Sequence, residues 1–229
     1  KKVLLFDLDV GMGNIDILLG LHAQQTIIDM MDNKLSIYDI IEEGPGGLAY
    51  ISGGSGLISF FTMNQQKRVY FYEQYSKLVN EYDYIIFDMG AGATSESMFF
   101  VLASDECIVI TTPEPTSITD AYGMIKHIVN NQGDMPIYVV MNRCHSQKNA
   151  AQSLDRFQQV VSQFLDIEII KMGMLPEDKI VSTAVMRQIP FMLLNNKSAI
   201  SQALSEVSVN YLASTRILNK LRPLSFIQK

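Results

Sequence analysis

Short, mostly apolar runs punctuate the chain: VLLF (3–6), LAYIS (48–52), YIIF (84–87), CIVIT (107–111), IYVVM (137–141) and IEIIKMG (167–173). Each is shorter than an ordinary helix, and most are rich in β-branched side chains, so they read as strands. Their apolar character is continuous rather than alternating, which calls for cover on both faces of a sheet. The segments between them, roughly 64–80, 95–103, 117–131, 150–164 and 198–221, read as helices. A chain that alternates in this way is confined to an α/β fold, a mostly parallel, doubly wound sheet with helices on both faces. No internal repeat or low-complexity linker divides it, so residues 1–221 read as one domain and 222–229 as a tail. Residues 21–56 are the least regular, with two short helical pieces, a strand and then ISGGSG.

Composition narrows the classes further. With 229 residues, 48% of them hydrophobic, a sizeable core forms without staples. Cys107 and Cys144 belong to no C-x-x-C pair, so neither a disulfide framework nor a zinc or iron–sulfur site is expected, and a reducing, cytoplasmic setting fits. A net charge of −6 argues against specific nucleic-acid binding. No apolar run reaches the roughly 18 residues of a membrane span. Lys1-Lys2 precedes only a short apolar stretch, so no signal peptide is expected.

Sheets of this kind bind ligands at the carboxyl ends of their strands. The first strand ends FDLDVGMGNID. Asp7 and Asp9 are two apart and point to one side of the strand, while Leu8 points to the other. Gly11 and Gly13 loosen the loop on which Asn14 and Asp16 stand. This is either a strand leaving the core into a polar turn or an acid pair placed for Mg²⁺ or a water molecule. A second strand ends on Asp88, in YIIFDMGAG. Two acid-bearing strand ends can share one cation, because Mg²⁺ takes only one or two protein carboxylates. Gly90 and Gly92 would let backbone approach a terminal phosphate. In ITTPEPTSITDAY, Thr116 or Ser117 can cap a helix whose first turn then holds Asp120. In VVMNRC, Asn142 suits either a base edge or a turn. In GMLPEDKIVSTAV, Pro176, Glu177 and Asp178 either line a base or start a helix.

Taken in order, these stretches resemble the MinD/ParA family of deviant P-loop ATPases. FDLDVGMGNIDILLG resembles its switch I, and YIIFDMGAG its Walker B strand and switch II. TTPEPTSITDAY and GMLPED resemble two further segments, the second on the adenine side. The likeness runs to about Leu194. Within the family it is nearer to the FlhG branch of flagellar number and placement regulators, through KKVLLFDLDVGMGNIDILLG, GLAYISGGSGL, DYIIFDMGAG, MNRC with QK after it, and QIPF.

The resemblance implies an ATP-dependent dimerising switch that binds ATP/ADP with Mg²⁺. By it, Asp9 positions the attacking water and helps hold the Mg²⁺ shell. Asp88 binds Mg²⁺ through water, and Gly90 donates its amide near the γ-phosphate. Asn142, Arg143, Pro176, Glu177 and Asp178 face adenine, while Asn14 and Asp120 lie near the dimer or partner face. Implied partners are a second copy, an FlhF-type GTPase, flagellar switch-ring proteins and the inner face of the cell membrane. A membrane-targeting helix would have its stub in the tail, where Arg216, Lys220, Arg222 and Lys229 interleave with apolar residues.

One departure is large. The family's K-G-G-x-G-K-[ST] phosphate loop does not occur in these 229 residues. Its strand, loop and helix would precede Lys1, and SGGSG (52–56) has no lysine and reads as a structural loop. Without that wall, the chain alone is expected to bind ATP weakly and hydrolyse it negligibly. It should also expose two apolar sheet edges and fold poorly. The competing classes are a non-catalytic partner-binding scaffold of the same fold and a phospho-receiver domain. A receiver is disfavoured because Asn142, not lysine, follows the run ending at Met141 and because the chain is too long.

Overall fold

The computed structural model describes residues 1–9, 13–54, 65–92 and 95–215. The chain divides into two compact units, one of residues 1–91 with 184–190 and one of 92–183 with the residues from 191 onward.

The first unit contains β1 (Val3–Asp7), α1 (Ile15–Leu19), α2 (Ile27–Asn33), β2 (Glu42–Glu43), β3 (Ala49–Ile51), α3 (Gln65–Ser76) and β4 (Tyr84–Asp88). Its sheet order is β2-β3-β1-β4. β1 is parallel to β3 and β4, and β2 is antiparallel to β3. Leu4, Phe6, Tyr50 and Ile51 are fully buried, as are Ile27, Met30, Ile37 and Ile40 from the helical pieces beside the sheet. Phe6 meets the rings of Tyr75 and Phe87 at 6.1 and 5.4 Å.

α2 opens with a capping box. The Thr26 hydroxyl accepts the Asp29 N–H, and the Asp29 carboxylate accepts the Thr26 N–H. Gly54, at φ +83°, backs onto that cap. A Cβ there would lie 2.7 Å from Thr26 Oγ1. This glycine of the SGGSG stretch therefore serves the start of α2, as a structural loop should.

The second unit contains α4 (Ser95–Ala103), β5 (Cys107–Thr111), α5 (Pro115–Asn131), β6 (Ile137–Cys144), α6 (Gln147–Leu165) and β7 (Ile170–Pro176). After α7 (Lys179–Arg187) come α8 (Phe191–Leu194) and α9 (Ala199–Thr215). The sheet β5-β6-β7 is wholly parallel. Tyr138, Val140, Met172 and Leu175 pack with Ile200 and Val207 of α9. The Tyr211 hydroxyl donates to Glu106 at 2.8 Å and Asn210 Nδ2 to the Met172 carbonyl at 3.1 Å, pinning α9 further.

α9 lies so close to β7 that a Cβ on Gly173 would sit 2.8 Å from Val207 Cγ2. Gly173→Ala is therefore expected to destabilise the protein by about 1–3 kcal/mol, read as a lower urea midpoint. A smaller partner at Val207, introduced as Val207→Ala, should recover part of the loss.

The strand and helix alternation is as expected, with parallel pairing throughout except at β2. The single sheet read from the sequence is instead two hydrogen-bonded sheets. Among the described residues, no strand pairs with the outer side of β4 or of β5. Ile86 on β4 is 48% exposed, and Ile108 and Ile110 on β5 are 47% and 59% exposed. Parallel strands normally have both faces covered, so these are unusual positions for isoleucine. β6 also runs beyond Met141 to Cys144, because a bulge with Arg143 at φ +54° lets the strand continue. The candidate tail, 222–229, lies outside the described residues.

Candidate functional site

At the tip of β1 the chain turns on Asp7. Its side chain is almost wholly enclosed, and its carboxylate accepts the Asp9 N–H at 3.3 Å and the Ile15 N–H at 3.2 Å. Asp7 stands opposite Asp88 in the β1–β4 register, and the Leu8 N–H donates to the Asp88 carbonyl at 2.9 Å. Burial raises the pKa of Asp7 while the two amides oppose that rise. The pKa of Asp88 is also raised, by burial first and then by the charges of Asp7 and Asp9.

Asp9 closes this group. A Cβ added to Gly90 would fall 2.7 Å from Asp9 Oδ1, so the carboxylate rests against backbone that any larger residue would block. Asp9, Asp88 and Gly90, expected at two strand ends, thus lie together at the tips of β1 and β4. No set of three or more His, Cys, Asp or Glu side chains is arranged for a metal among the described residues. Mg²⁺ does not need one: it takes one or two protein carboxylates and fills its shell with water and phosphate oxygen. A carboxylate whose pKa is raised by burial and by the charges of two neighbouring acids, beside a glycine whose missing side chain leaves room, fits such an ion.

The second group of predicted residues lies at the tips of β6 and β7. The Asn142 amide oxygen accepts the Arg143 N–H at 2.8 Å. The Glu177 N–H donates to the Cys144 carbonyl at 3.3 Å, joining the two strand ends beyond the bulge. The Glu177 carboxylate meets Arg143 Nη2 at 3.7 Å and His145 Nδ1 at 2.9 Å. These contacts are well exposed, so they orient the loop more than they stabilise the fold. Asp178 accepts the Ile180 N–H at 3.0 Å and so starts α7. His145 was not among the sequence candidates, and it follows MNRC too closely to look like more than loop.

Asn14 precedes α1, is exposed and makes no side-chain cap. Asp120 is exposed on α5 but is not in its first turn. The helix begins at Pro115, which suits the first helical position because it lacks an N–H. Ser117 does not cap this helix. Its hydroxyl accepts the Thr112 N–H at 2.9 Å and lies 3.0 Å from Thr111 Oγ1.

No family model matches the chain. It is 30% identical over 188 residues to the antiactivator FleN of Pseudomonas aeruginosa, covering 82% of this chain and 67% of that protein. It is 24% identical over 208 residues to the flagellum site-determining protein YlxH of Helicobacter pylori, covering 90% and 70%. Among solved structures, the cell division ATPase MinD of Pyrococcus furiosus superposes with a TM-score of 0.72 at 19% identity, over 93% of this chain and 86% of that one. MinD of Pyrococcus horikoshii, solved with Mg-ADP, gives 0.71 at 20% identity, over 96% and 87%.

Proposed function

The chain belongs to the MinD/ParA family of ATPases, on its FlhG-like side, and we propose that it is the switch domain of a regulator of flagellar number and placement. In this reading ATP and Mg²⁺ drive face-to-face pairing of two copies, and hydrolysis resets them. The observation that carries it is the convergence of Asp9, Asp88 and Gly90 at the tips of β1 and β4.

The roles are those the family resemblance implies. Asp9 would position the attacking water and help hold the Mg²⁺ shell. The Gly90 amide donates toward the terminal phosphate, where charge grows during transfer. Asp88 would hold Mg²⁺ through water, and the ion would neutralise phosphate charge. Asn142, Arg143 and the 176–178 turn form a wall for the base, with Glu177 held by Arg143 and His145. Asn14 and Asp120 are exposed and available to a second copy or a partner. The partners of this reading are an FlhF-type GTPase and flagellar switch-ring proteins. It works in the cytoplasm, with membrane contact through the tail.

A domain carrying the family's phosphate loop tests it. Sizing should show a dimer with Mg-ATP and a monomer with Mg-ADP. Asp9→Ala should lower turnover roughly 100-fold or more while keeping the ATP dimer. In a strain lacking its own FlhG-like protein, the same protein should restore flagella per cell and Asp9→Ala should not. The alternative is a non-catalytic, partner-binding scaffold of the same fold. A protein that stays monomeric with ATP yet restores flagellar number would establish that alternative instead.

A further inference from the structure

Asp7 has no part in the roles just assigned, yet it is the most deeply placed acid at the β1 tip. Only 3% of it is exposed. Its two oxygens take different amides, Oδ1 the Asp9 N–H and Oδ2 the Ile15 N–H. Gly13 lies against the same carboxylate, since an added Cβ would lie 2.9 Å from Oδ2 and 3.0 Å from Oδ1. The Gly13 N–H in turn donates to the Asp9 carbonyl at 3.2 Å. An apolar residue at position 7 would leave the Ile15 N–H without its acceptor, although Ile15 is buried.

We propose that Asp7 is the positioning residue of the acidic site: it holds the Asp9 and Ile15 amides and thereby sets the Asp9 carboxylate against Gly90. Asp7 acts through backbone amides, so it need not touch the ion or the water itself. Gly13 is the other half of the device, because only a residue without a side chain lets the backbone at position 13 lie against the Asp7 carboxylate. This rests on the reading of Asp9 and Asp88 as Mg²⁺ ligands only in what the clamp is for. The clamp itself rests on the contacts alone.

The 229-residue chain is tested with Mn²⁺ alone as the probe and with amide exchange as an independent readout. In Asp7→Ala, exchange at Ile15 should rise at least about tenfold. Mn²⁺ affinity should fall about tenfold or more, the loss usual when a metal ligand's support is removed. Gly13→Ala keeps every charge but pushes the Asp7 carboxylate from its place against the backbone, so it should reproduce both effects. Asp7→Asn keeps an acceptor oxygen and should fall between the native chain and Asp7→Ala. Should Asp7→Ala not fold, Gly13→Ala and Asp7→Asn carry the test. Native-like Ile15 exchange in Gly13→Ala overturns the proposal. So does equal Mn²⁺ weakening in Asp7→Asn and Asp7→Ala with Gly13→Ala unaffected, because that pattern is charge alone. If Asp9→Asn binds Mn²⁺ as the native chain does while Asp7→Ala still loosens Ile15, the clamp stands and the metal reading falls.

Discussion

Joining these 229 residues to a strand and loop of the K-G-G-x-G-K-[ST] type should tighten Mg-ATP binding by at least about a thousandfold. The reason lies in what the chain does and does not offer a triphosphate. At the β1 and β4 tips it offers acids, and Asp7, Asp9 and Asp88 repel phosphate as they repel one another. At the β6 and β7 tips the predicted base wall includes one cation, Arg143, and its guanidinium already faces Glu177. The amides and lysine of a phosphate loop supply the missing donors, and since each hydrogen bond to a charged group is worth roughly 1.5–3 kcal/mol, two or three of them account for the gain. Calorimetry with Mg-ATP on both forms checks the claim. Dissociation constants near the millimolar range for the 229 residues and micromolar or below for the joined form are expected. Micromolar binding by the 229 residues alone would mean that the acids and the base wall suffice, and the claim that a phosphate loop supplies most of the affinity would have to be abandoned. Replacing the second loop lysine by alanine in the joined form should return most of the affinity gained.

Much of this architecture could be read from residue order. CIVIT predicts a strand over 107–111, and β5 spans those residues because a β-branched run with no glycine or proline has few alternatives. The acids after VLLF and YIIF mark the strand tips because a carboxylate after such a run needs water or hydrogen-bond donors, and Asp7 finds them in the Asp9 and Ile15 amides. What stayed hidden was set by contacts distant in sequence. β2 is two glutamates, recognisable as a strand only through its pairing with Tyr50 and Ala49. The extension of β6 through Asn142 and Arg143 depends on a bulge against β7, and MNRC alone reads as a turn. Gly173 looks like a strand defect until Val207 arrives from α9. The work of Asp7 was invisible for the same reason. A D-x-D pair shows that both acids face one way, but not that the inner one accepts two amides while the outer one rests on Gly90.

Lysine at Ile86, Ile108 or Ile110 should have opposite effects in the two forms of the protein. In the 229-residue chain each of these isoleucines is about half exposed, on strands that end their sheets. An apolar edge strand without a charge, a proline or a bulge invites pairing with another chain. Within β4 and β5 the side chains up to the terminal Asp88 and Thr111 include none of these guards. Ile108→Lys and Ile110→Lys should therefore cost little stability, within about 0.5 kcal/mol as at other exposed positions. They should also reduce aggregation several-fold, read by light scattering at fixed concentration. Where a parallel strand and its helix are supplied, the same faces become covered. A lysine there leaves a charge without a partner in an apolar layer, a loss of roughly 3–5 kcal/mol that shows as a lower urea midpoint. The effect should track the strand rather than the nucleotide, because these side chains lie along the strands and not at their tips. Lysine variants that destabilise both forms equally would mean that the isoleucines are already covered in the 229-residue chain. Variants that are harmless in both would mean that the supplied strand packs elsewhere.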